Sequence, residues 1–303
     1  MSSSVLQKAP LLEMPRRMIP PKPLFRPDQR VKPLRRKPVT IAIGYAYDQG
    51  IVFCADTKIS TNIKTNQSKI AFFVSRDAQC SLTFAISGAD MEFARSSADA
   101  CWASVKEMNF SAATMEEVHE TAEMALADFY RDQIFGHPDR HLGAVDYKLL
   151  VGIWLRGETR LFVTHETLLK PVDGYECIGS GGYLANYLIR QYRQANPGPA
   201  TLEDAALISS FAVDAAIDYD EGCGGENEIL IVRNDGEASN GYDTAMYPGM
   251  LVGSLQRELW RLLHHLANLD GTDMKAATAA ELEKTFDNIR GMNESYAYAY
   301  RRR

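Results

Sequence analysis

The order in which strand patterns and helix patterns follow one another is the feature that most constrains the fold of this chain. Short β-type runs lie at 39–47, 51–55, 69–74, 81–87, 146–155, 159–164, 175–178 and 228–233, and helical patterns lie at 90–106, 114–135, 182–194 and 201–217. Two antiparallel sheets that pack face to face, each covered outside by two helices, bury every apolar face in that order. The sequence therefore predicts an α+β fold, a four-layer αββα sandwich with extra C-terminal helices.

The first 38 residues cannot belong to that sandwich. They hold eight of the thirteen prolines, together with ten basic and only two acidic residues. Proline fixes φ and removes a backbone donor, so regular helices and central strands are excluded. We predict a Pro/Arg-rich disordered arm or pro-segment over residues 1–39. A nucleic-acid contact and a membrane-surface contact are weaker alternatives to a solvated, disordered tail. An organellar transit peptide would also be basic and poor in acidic residues, but the dense prolines oppose the amphipathic helix that such peptides form.

The C-terminal part predicts further helices outside the sandwich. We expect the main domain to cover residues 40–236 and a helical extension to cover 237–303, with helices at 251–269 and 277–289. The first of these two helices carries a stripe of leucines along one side. The stripe either packs on its own domain or forms a contact between subunits, and the sequence does not decide between them.

Composition narrows the classes of protein that the chain can represent. The longest apolar runs, such as 149–155, fall far short of the roughly 20 residues that a membrane helix needs. The first residues also lack the apolar stretch of a secretory signal. Five cysteines without a CxxC pair indicate reduced thiols and a cytoplasmic protein. We expect no metal, no cofactor, no nucleic acid and no membrane among its partners.

Several short motifs occur in order along the predicted domain. They are Thr40-Ile-Ala-Ile-Gly44, Asp48-Gln-Gly50 through Asp56-Thr57, Ser68-Lys69-Ile70, Ile86-Ser87-Gly88, Gly179-Ser180-Gly181 and Asp220-Glu-Gly-Cys223-Gly224-Gly225. Together they resemble the proteasome β subunits and their bacterial relatives, a family of N-terminal-nucleophile hydrolases. The resemblance runs from residue 39 to residue 233, and it implies the same four-layer sandwich.

The resemblance also implies a set of catalytic residues. The set consists of Thr40, Asp56, Lys69, Gly88, Ser180, Asp220 and Cys223. A threonine hydroxyl is a poor nucleophile and needs a base within hydrogen-bond reach. Removal of residues 1–39 would free the amine of Thr40, whose ordinary pKa of about 7.7–8.0 suits that role, and a nearby ammonium of Lys69 would lower this pKa.

The other members of the set take supporting roles by resemblance. Asp56 would orient Lys69, and the backbone N–H of Gly88 would stabilise the developing oxyanion. Ser180, Asp220 and Cys223 would support the Thr40 amine. Each motif also has an ordinary structural interpretation: Thr40 as a strand residue, Gly88 as a turn, and the Asp220 segment as a solvated acidic turn.

Three features depart from the family pattern. The residue before Thr40 is Val39, whereas proteasome precursors are usually cut after glycine, and Cys223 stands where the family has serine. A thiol is a weaker hydrogen-bond donor than a hydroxyl. The segment before Lys69 is also shorter than in typical members.

The resemblance implies a threonine-type peptidase or amidohydrolase that degrades proteins or peptides. Such a protein would form a homo-oligomeric ring, and any ATP-dependent unfoldase would be a separate chain. Two alternatives stay open: a non-catalytic assembly or scaffold subunit that keeps its N-terminal arm, and an amidase that acts on small molecules.

Overall fold

A computed structural model describes residues 40–60, 64–136 and 145–240, together with the helical residues 280, 283, 284 and 287. The side chains at 59, 60, 64, 65 and 240 are not included in the description. The predicted arm at 1–39 and the predicted helices at 251–269 lie outside the described residues, as does most of 277–289. None of the described helices combines the length and the apolar character needed to span a membrane.

The described strands are numbered in chain order. They are β1 (Ala42–Tyr47), β2 (Gly50–Asp56), β3 (Lys58–Ser60), β4 (Lys64–Asn66), β5 (Ile70–Val74), β6 (Cys80–Gly88), β7 (Tyr147–Leu155), β8 (Glu158–His165), β9 (Leu168–Pro171), β10 (Tyr175–Ile178), β11 (Asn227–Arg233) and β12 (Ala238–Asn240). The helices of the same part are α1 (Met91–Val105), α2 (Met115–Tyr130), α3 (Gly182–Ala195) and α4 (Leu202–Tyr219), and a π-helical turn, Arg131–Phe135, continues α2.

The strands form two antiparallel five-stranded sheets and one small hairpin. The first sheet has the order β10-β1-β2-β11-β12, the second has the order β5-β6-β7-β8-β9, and β3 pairs with β4. Three hydrophobic clusters separate four layers. One joins α1 and α2 to the second sheet, one joins α3 and α4 to the first sheet, and one lies between the sheets. The predicted α+β four-layer sandwich is confirmed.

Local sequence signals begin the helices as expected. The Thr114 hydroxyl accepts a hydrogen bond from the Glu117 N–H, and the Glu117 carboxylate accepts one from the Thr114 N–H. This reciprocal capping box, predicted from the sequence, satisfies two N–H groups that the first helical turn leaves unpaired. Thr201 and Asp204 form the same arrangement at the start of α4.

Small residues let the two sheets approach closely near the start of β1. A side chain at Gly44 would bring a Cβ atom within 2.9 Å of Leu161 Cδ1 in the facing sheet, which is closer than real Cβ contacts. The glycine of the first motif therefore serves packing between the layers.

Four short strands were not predicted from the sequence. The β3–β4 hairpin is short and polar, β9 is a four-residue edge strand that ends in Pro171, and β12 covers only three residues. Such segments carry too little hydrophobic periodicity to be recognised, and proline is tolerated at a sheet edge. Strand β12 pairs with β11, so the first sheet extends to residue 240, into the segment that we expected to be helical.

Candidate active site

Thr40 lies two residues before the start of β1, where the first sheet meets the end of β6 in the second sheet. Its side chain is buried, with 3% of the residue surface exposed. Thr40 Oγ1 lies 2.7 Å from Ser87 Oγ and accepts a hydrogen bond of 3.1 Å from the Gly88 N–H. The structure therefore brings the predicted nucleophile and the predicted oxyanion donor into direct contact.

Asp56 and Lys69 form a buried ion pair that is hydrogen-bonded to Ile41, the residue after Thr40. Lys69 Nζ lies 2.5 Å from Asp56 Oδ1, and both side chains are 0% exposed. The same carboxylate accepts the Ile41 N–H at 3.0 Å on Oδ1 and the Gly224 N–H at 3.1 Å on Oδ2. Asp56 thus connects the ammonium of Lys69 to the backbone that carries Thr40.

Two opposing effects act on the pKa of Lys69. Burial lowers the pKa of Lys69 below its ordinary value, and the negative charge and hydrogen bond of Asp56 partly oppose that shift. A buried ammonium with one carboxylate partner is expected to behave in this way. Among the described residues, no hydrogen bond joins Lys69 Nζ to Thr40 Oγ1.

Glu228, on β11 of the first sheet, holds the backbone of Lys69, which lies just before β5 of the second sheet. Its carboxylate accepts the Ser68 hydroxyl at 2.6 Å and the Lys69 N–H at 3.0 Å. Lys69 is therefore held at its backbone by Glu228 and at its ammonium by Asp56. Sequence analysis missed Glu228, although an acidic residue near the start of an apolar strand is an unusual pattern that could have indicated it.

The turn at residues 220–225 packs beside this ion pair. Cys223 is buried, its N–H donates to the Asp220 carbonyl, and Asp220 Oδ1 accepts the Gly222 N–H. Lys58 Nζ donates to the Glu221 carbonyl at 2.7 Å and to the Cys223 carbonyl at 3.1 Å. Sequence analysis did not single out Lys58, because a lone lysine in a short polar strand carries no signal.

The turn at Gly179–Gly181 packs against the carbonyl group of Thr40. The Gly181 N–H donates to the Thr40 carbonyl at 3.3 Å. Gly179 has φ +91, and a Cβ there would lie only 2.0 Å from the Thr40 carbonyl oxygen. Glycine is required at 179 by both its conformation and this close approach.

The predicted site residues divide into two groups. Hydrogen bonds connect Thr40 to Gly88 and the adjoining backbone to Asp56 and Lys69. Cys223 reaches the same region, since a Cβ at Gly181 would lie 2.9 Å from its Sγ. In the described part of the chain, no hydrogen bond joins the side chain of Ser180, which is exposed, or that of Asp220 to Thr40. The described residues contain no group of three or more His, Cys, Asp or Glu side chains placed to hold a metal ion.

Comparison with known proteins gives structural matches only. No protein-family model and no curated protein matches the sequence. The structure of Anbu (ancestral beta-subunit) from Yersinia bercovieri matches with a TM-score of 0.60 at 14% identity, covering 78% of this chain and 100% of that one. Anbu from Hyphomicrobium sp. strain MC1 matches with a TM-score of 0.60 at 13% identity, covering 77% of this chain and 100% of that one.

The fold is that of the Anbu proteins. Anbu proteins are proteasome-like but form a distinct family, so the sequence-based assignment to the proteasome β-subunit family is wrong. The motifs that carried that assignment explain the error. Gly44 is needed for close packing against the Leu161 side chain of the facing sheet, and Gly179 is needed for close approach to the Thr40 backbone. Residues required by a shared fold do not discriminate between the families that use it.

Cys223 is expected to be chemically inert in the folded Anbu-like domain. Burial, followed by the negative charges of Asp56 and Asp220, raises its pKa to about 12. Thiolate is the reactive form, so at pH 8 only about one thiol in ten thousand would be ionised. We predict that iodoacetamide at pH 8 leaves Cys223 unmodified in the native protein, as read by peptide mass spectrometry.

The remaining thiols provide the controls. Unfolding in urea should expose all five cysteines to labelling: Cys54, Cys80, Cys101, Cys177 and Cys223. In the native protein Cys177 should also resist labelling, because burial raises its pKa well above the ordinary value even though part of its surface is exposed. Rapid labelling of Cys223 in the native protein would contradict its burial and would favour a role for Cys223 as an independent nucleophile.

Proposed function

We propose that this chain is a threonine-type peptidase or amidohydrolase whose nucleophile, Thr40, is exposed by removal of residues 1–39. One observation carries the proposal. The buried Thr40 hydroxyl contacts the Gly88 N–H, while the buried Asp56–Lys69 pair is linked to the next residue through the Ile41 N–H. A nucleophile, a backbone donor and a buried cation with its counter-charge are the components that acyl transfer requires.

The first reaction is a cut of the chain itself. Thr40 Oγ attacks the carbonyl carbon of Val39, the new Oγ–C bond forms, and the C–N bond between the two residues breaks. The hydroxyl proton is transferred to the nitrogen of Thr40, which becomes a free amine. Water then hydrolyses the resulting ester, which restores the Thr40 hydroxyl and releases residues 1–39 with a carboxylate at Val39.

The freed amine then serves as the general base for substrate amide bonds. It lies on the same residue as the nucleophile, so it is held close to the hydroxyl proton that it must accept. The buried ammonium of Lys69 favours the neutral amine by like-charge repulsion. Asp56 keeps this ammonium in place and supplies its counter-charge.

The Gly88 N–H is the proposed oxyanion donor. It is a rigid backbone group at the end of β6, and it already points at the position of the Thr40 hydroxyl. A substrate carbonyl bound beside Thr40 would direct its oxygen to this group, where developing negative charge is stabilised without reorganisation.

Ser180, Asp220 and Cys223 keep supporting roles in the proposal. Asp220 holds its turn through the Gly222 N–H, and Cys223 packs against Gly181, whose N–H binds the Thr40 carbonyl. We infer that these residues act on Thr40 through the two turns. Ser180 lies in the turn beside the Thr40 carbonyl, and its exposed hydroxyl is free to face the new amine or a substrate.

Self-assembly belongs to the same proposal. The Yersinia bercovieri protein of the same fold is described as an ancestral beta-subunit, a term for one component of a larger assembly. We therefore propose that this chain forms homo-oligomers and acts on peptides or proteins.

The proposal is tested on purified wild-type protein by intact mass and by hydrolysis of fluorogenic peptides. We expect a chain that begins at Thr40 and cleaves such peptides. A chain that is cut before Thr40 but cleaves no peptide would indicate an amidase for small molecules. A chain that keeps residues 1–39 and cleaves nothing would overturn the enzymatic proposal in favour of a non-catalytic assembly subunit.

A further inference from the structure

The Thr40 hydroxyl is hydrogen-bonded to the Gly88 N–H, the group that the proposed reaction needs to stabilise the oxyanion. Gly88 has one backbone N–H, and this N–H is bonded to Thr40 Oγ1 at 3.1 Å. One N–H makes one well-aligned hydrogen bond, so a carbonyl oxygen can take this donor only after Thr40 Oγ1 has left it. In the uncut chain the nucleophile is therefore at rest in the oxyanion position.

Ser87 fixes the hydroxyl in that resting position. Its Oγ lies 2.7 Å from Thr40 Oγ1, and only 2% of the residue surface is exposed. Gly179 leaves the space that this contact needs, because a Cβ at that position would lie 2.6 Å from Ser87 Oγ. In the sequence, Ser87 stands out only as part of the strand-end motif Ile86-Ser87-Gly88.

We propose that Ser87 is a positioning residue, which holds the Thr40 hydroxyl on the Gly88 N–H and so slows the cut before Thr40 and the later turnover. The inference rests on the proposed function of Thr40. Reaction requires rotation about the Cα–Cβ bond of Thr40 to another staggered position. That rotation breaks the contact with Ser87 and frees the Gly88 N–H.

A proton relay through Ser87 is less consistent with the contacts. A relay needs an onward acceptor, and within the described ranges the Ser87 hydroxyl has no hydrogen-bond partner other than Thr40. A serine hydroxyl without such an acceptor is a weak base. The contact therefore stabilises the resting state more than the state that reacts.

The test is the rate at which the arm is removed after cell-free synthesis. Loss of one hydrogen bond in the resting state corresponds to roughly fivefold faster removal in Ser87→Ala. Ser87→Cys preserves more of the side-chain volume but bonds weakly, so it should also be faster and would exclude an effect of the cavity. In peptide hydrolysis by the mature protein, kcat should rise while KM stays unchanged.

Ser81→Ala is the matched control, because Ser81 is an equally buried serine on the same face of β6, six residues earlier. It should cut at the wild-type rate. Circular dichroism confirms that each variant is folded. Unchanged or slower removal in Ser87→Ala would overturn the inference, and slower removal would identify Ser87 as a relay.

A wild-type chain that keeps its arm would refute the proposed function but would still test the contact. In that case, hydrogen exchange of the Gly88 amide is compared between wild type, Thr40→Val and Ser87→Ala. The valine has a methyl group in place of the hydroxyl, so it keeps the shape of the side chain but cannot accept the Gly88 N–H, and we expect exchange at Gly88 to be several-fold faster in both variants. Equal exchange in all three proteins would overturn the inference.

Discussion

Thr40→Ala is expected to remain a full-length chain of 303 residues, whereas the wild type loses residues 1–39. The variant lacks the hydroxyl that attacks the preceding carbonyl, so both the cut and peptide hydrolysis should be abolished. Thr40→Ser keeps a hydroxyl at the same atom and should still cut. Intact mass spectrometry distinguishes the three proteins, and N-terminal sequencing locates the cut.

Thr83→Ala controls for the loss of a buried threonine hydroxyl. Thr83 lies on β6, is as buried as Thr40 and has Phe72 and Gly152 as its partners in the sheet, and in the part of the chain that the structure describes no hydrogen bond joins its side chain to the site residues. This variant should be cut and active like the wild type. Shortening of Thr40→Ala at the same bond would show that another protease removes the arm, and the role of Thr40 as an intramolecular nucleophile would then be rejected.

Elements of the fold that depend on local patterns could be predicted from the sequence. The capping box at Thr114 and Glu117 uses residues three positions apart, and helices α1 and α2 follow an apolar period that a short window contains. The order of these elements then leaves few ways to cover two sheets. Short edge strands such as β9 could not be predicted, because their pairing depends on a neighbouring strand rather than on their own sequence.

The contacts of the candidate site were even harder to predict from the sequence than the edge strands. Its main contacts join residues that are far apart in the chain: Thr40 and Ser87 are 47 residues apart, and Lys69 and Glu228 are 159 apart. Spacing along the chain cannot reveal such pairs. The resemblance pointed to Thr40 and Lys69 but not to Ser87 or Glu228, because only their contacts in the fold give these side chains a role at the site.

The distinction between fold and family has a physical basis in the site itself. The turn at Gly179–Gly181 binds the Thr40 carbonyl through the Gly181 N–H, and the turn at 220–225 binds the Asp56 carboxylate through the Gly224 N–H. Main-chain contacts depend on conformation and tolerate many side chains. The donors in both turns are main-chain N–H groups, so the fold shared with the Anbu structures can persist at 13% and 14% identity.

The ion pair of Asp56 and Lys69 allows stability and catalysis to be separated. Lys69→Met leaves the Asp56 carboxylate buried without its counter-charge, which is expected to cost about 3–5 kcal/mol in the free energy of unfolding. Activity should also disappear, because the cation that we propose favours the neutral Thr40 amine is gone. The measurements are urea unfolding and peptide hydrolysis.

The double variant Lys69→Met/Asp56→Asn removes both charges. We expect it to recover roughly 2 kcal/mol relative to Lys69→Met, and not more, because asparagine has one acceptor oxygen for the two backbone N–H groups that Asp56 accepts. It should remain inactive. Recovery of stability without recovery of activity would separate the catalytic role of Lys69 from its part in the buried pair.

An exposed ion pair provides the control for the stability measurements on Lys69→Met and the double variant. Arg131 and Asp128 lie 2.7 Å apart with side chains 65% and 61% exposed, so Arg131→Met should change the free energy of unfolding by less than about 1 kcal/mol. If Lys69→Met changed stability as little as this control, the charge pair would not be buried as described. If Lys69→Met kept activity within tenfold of wild type, the proposed tuning of the Thr40 amine by Lys69 would be wrong, because that tuning depends on a cation fixed beside the amine by Asp56.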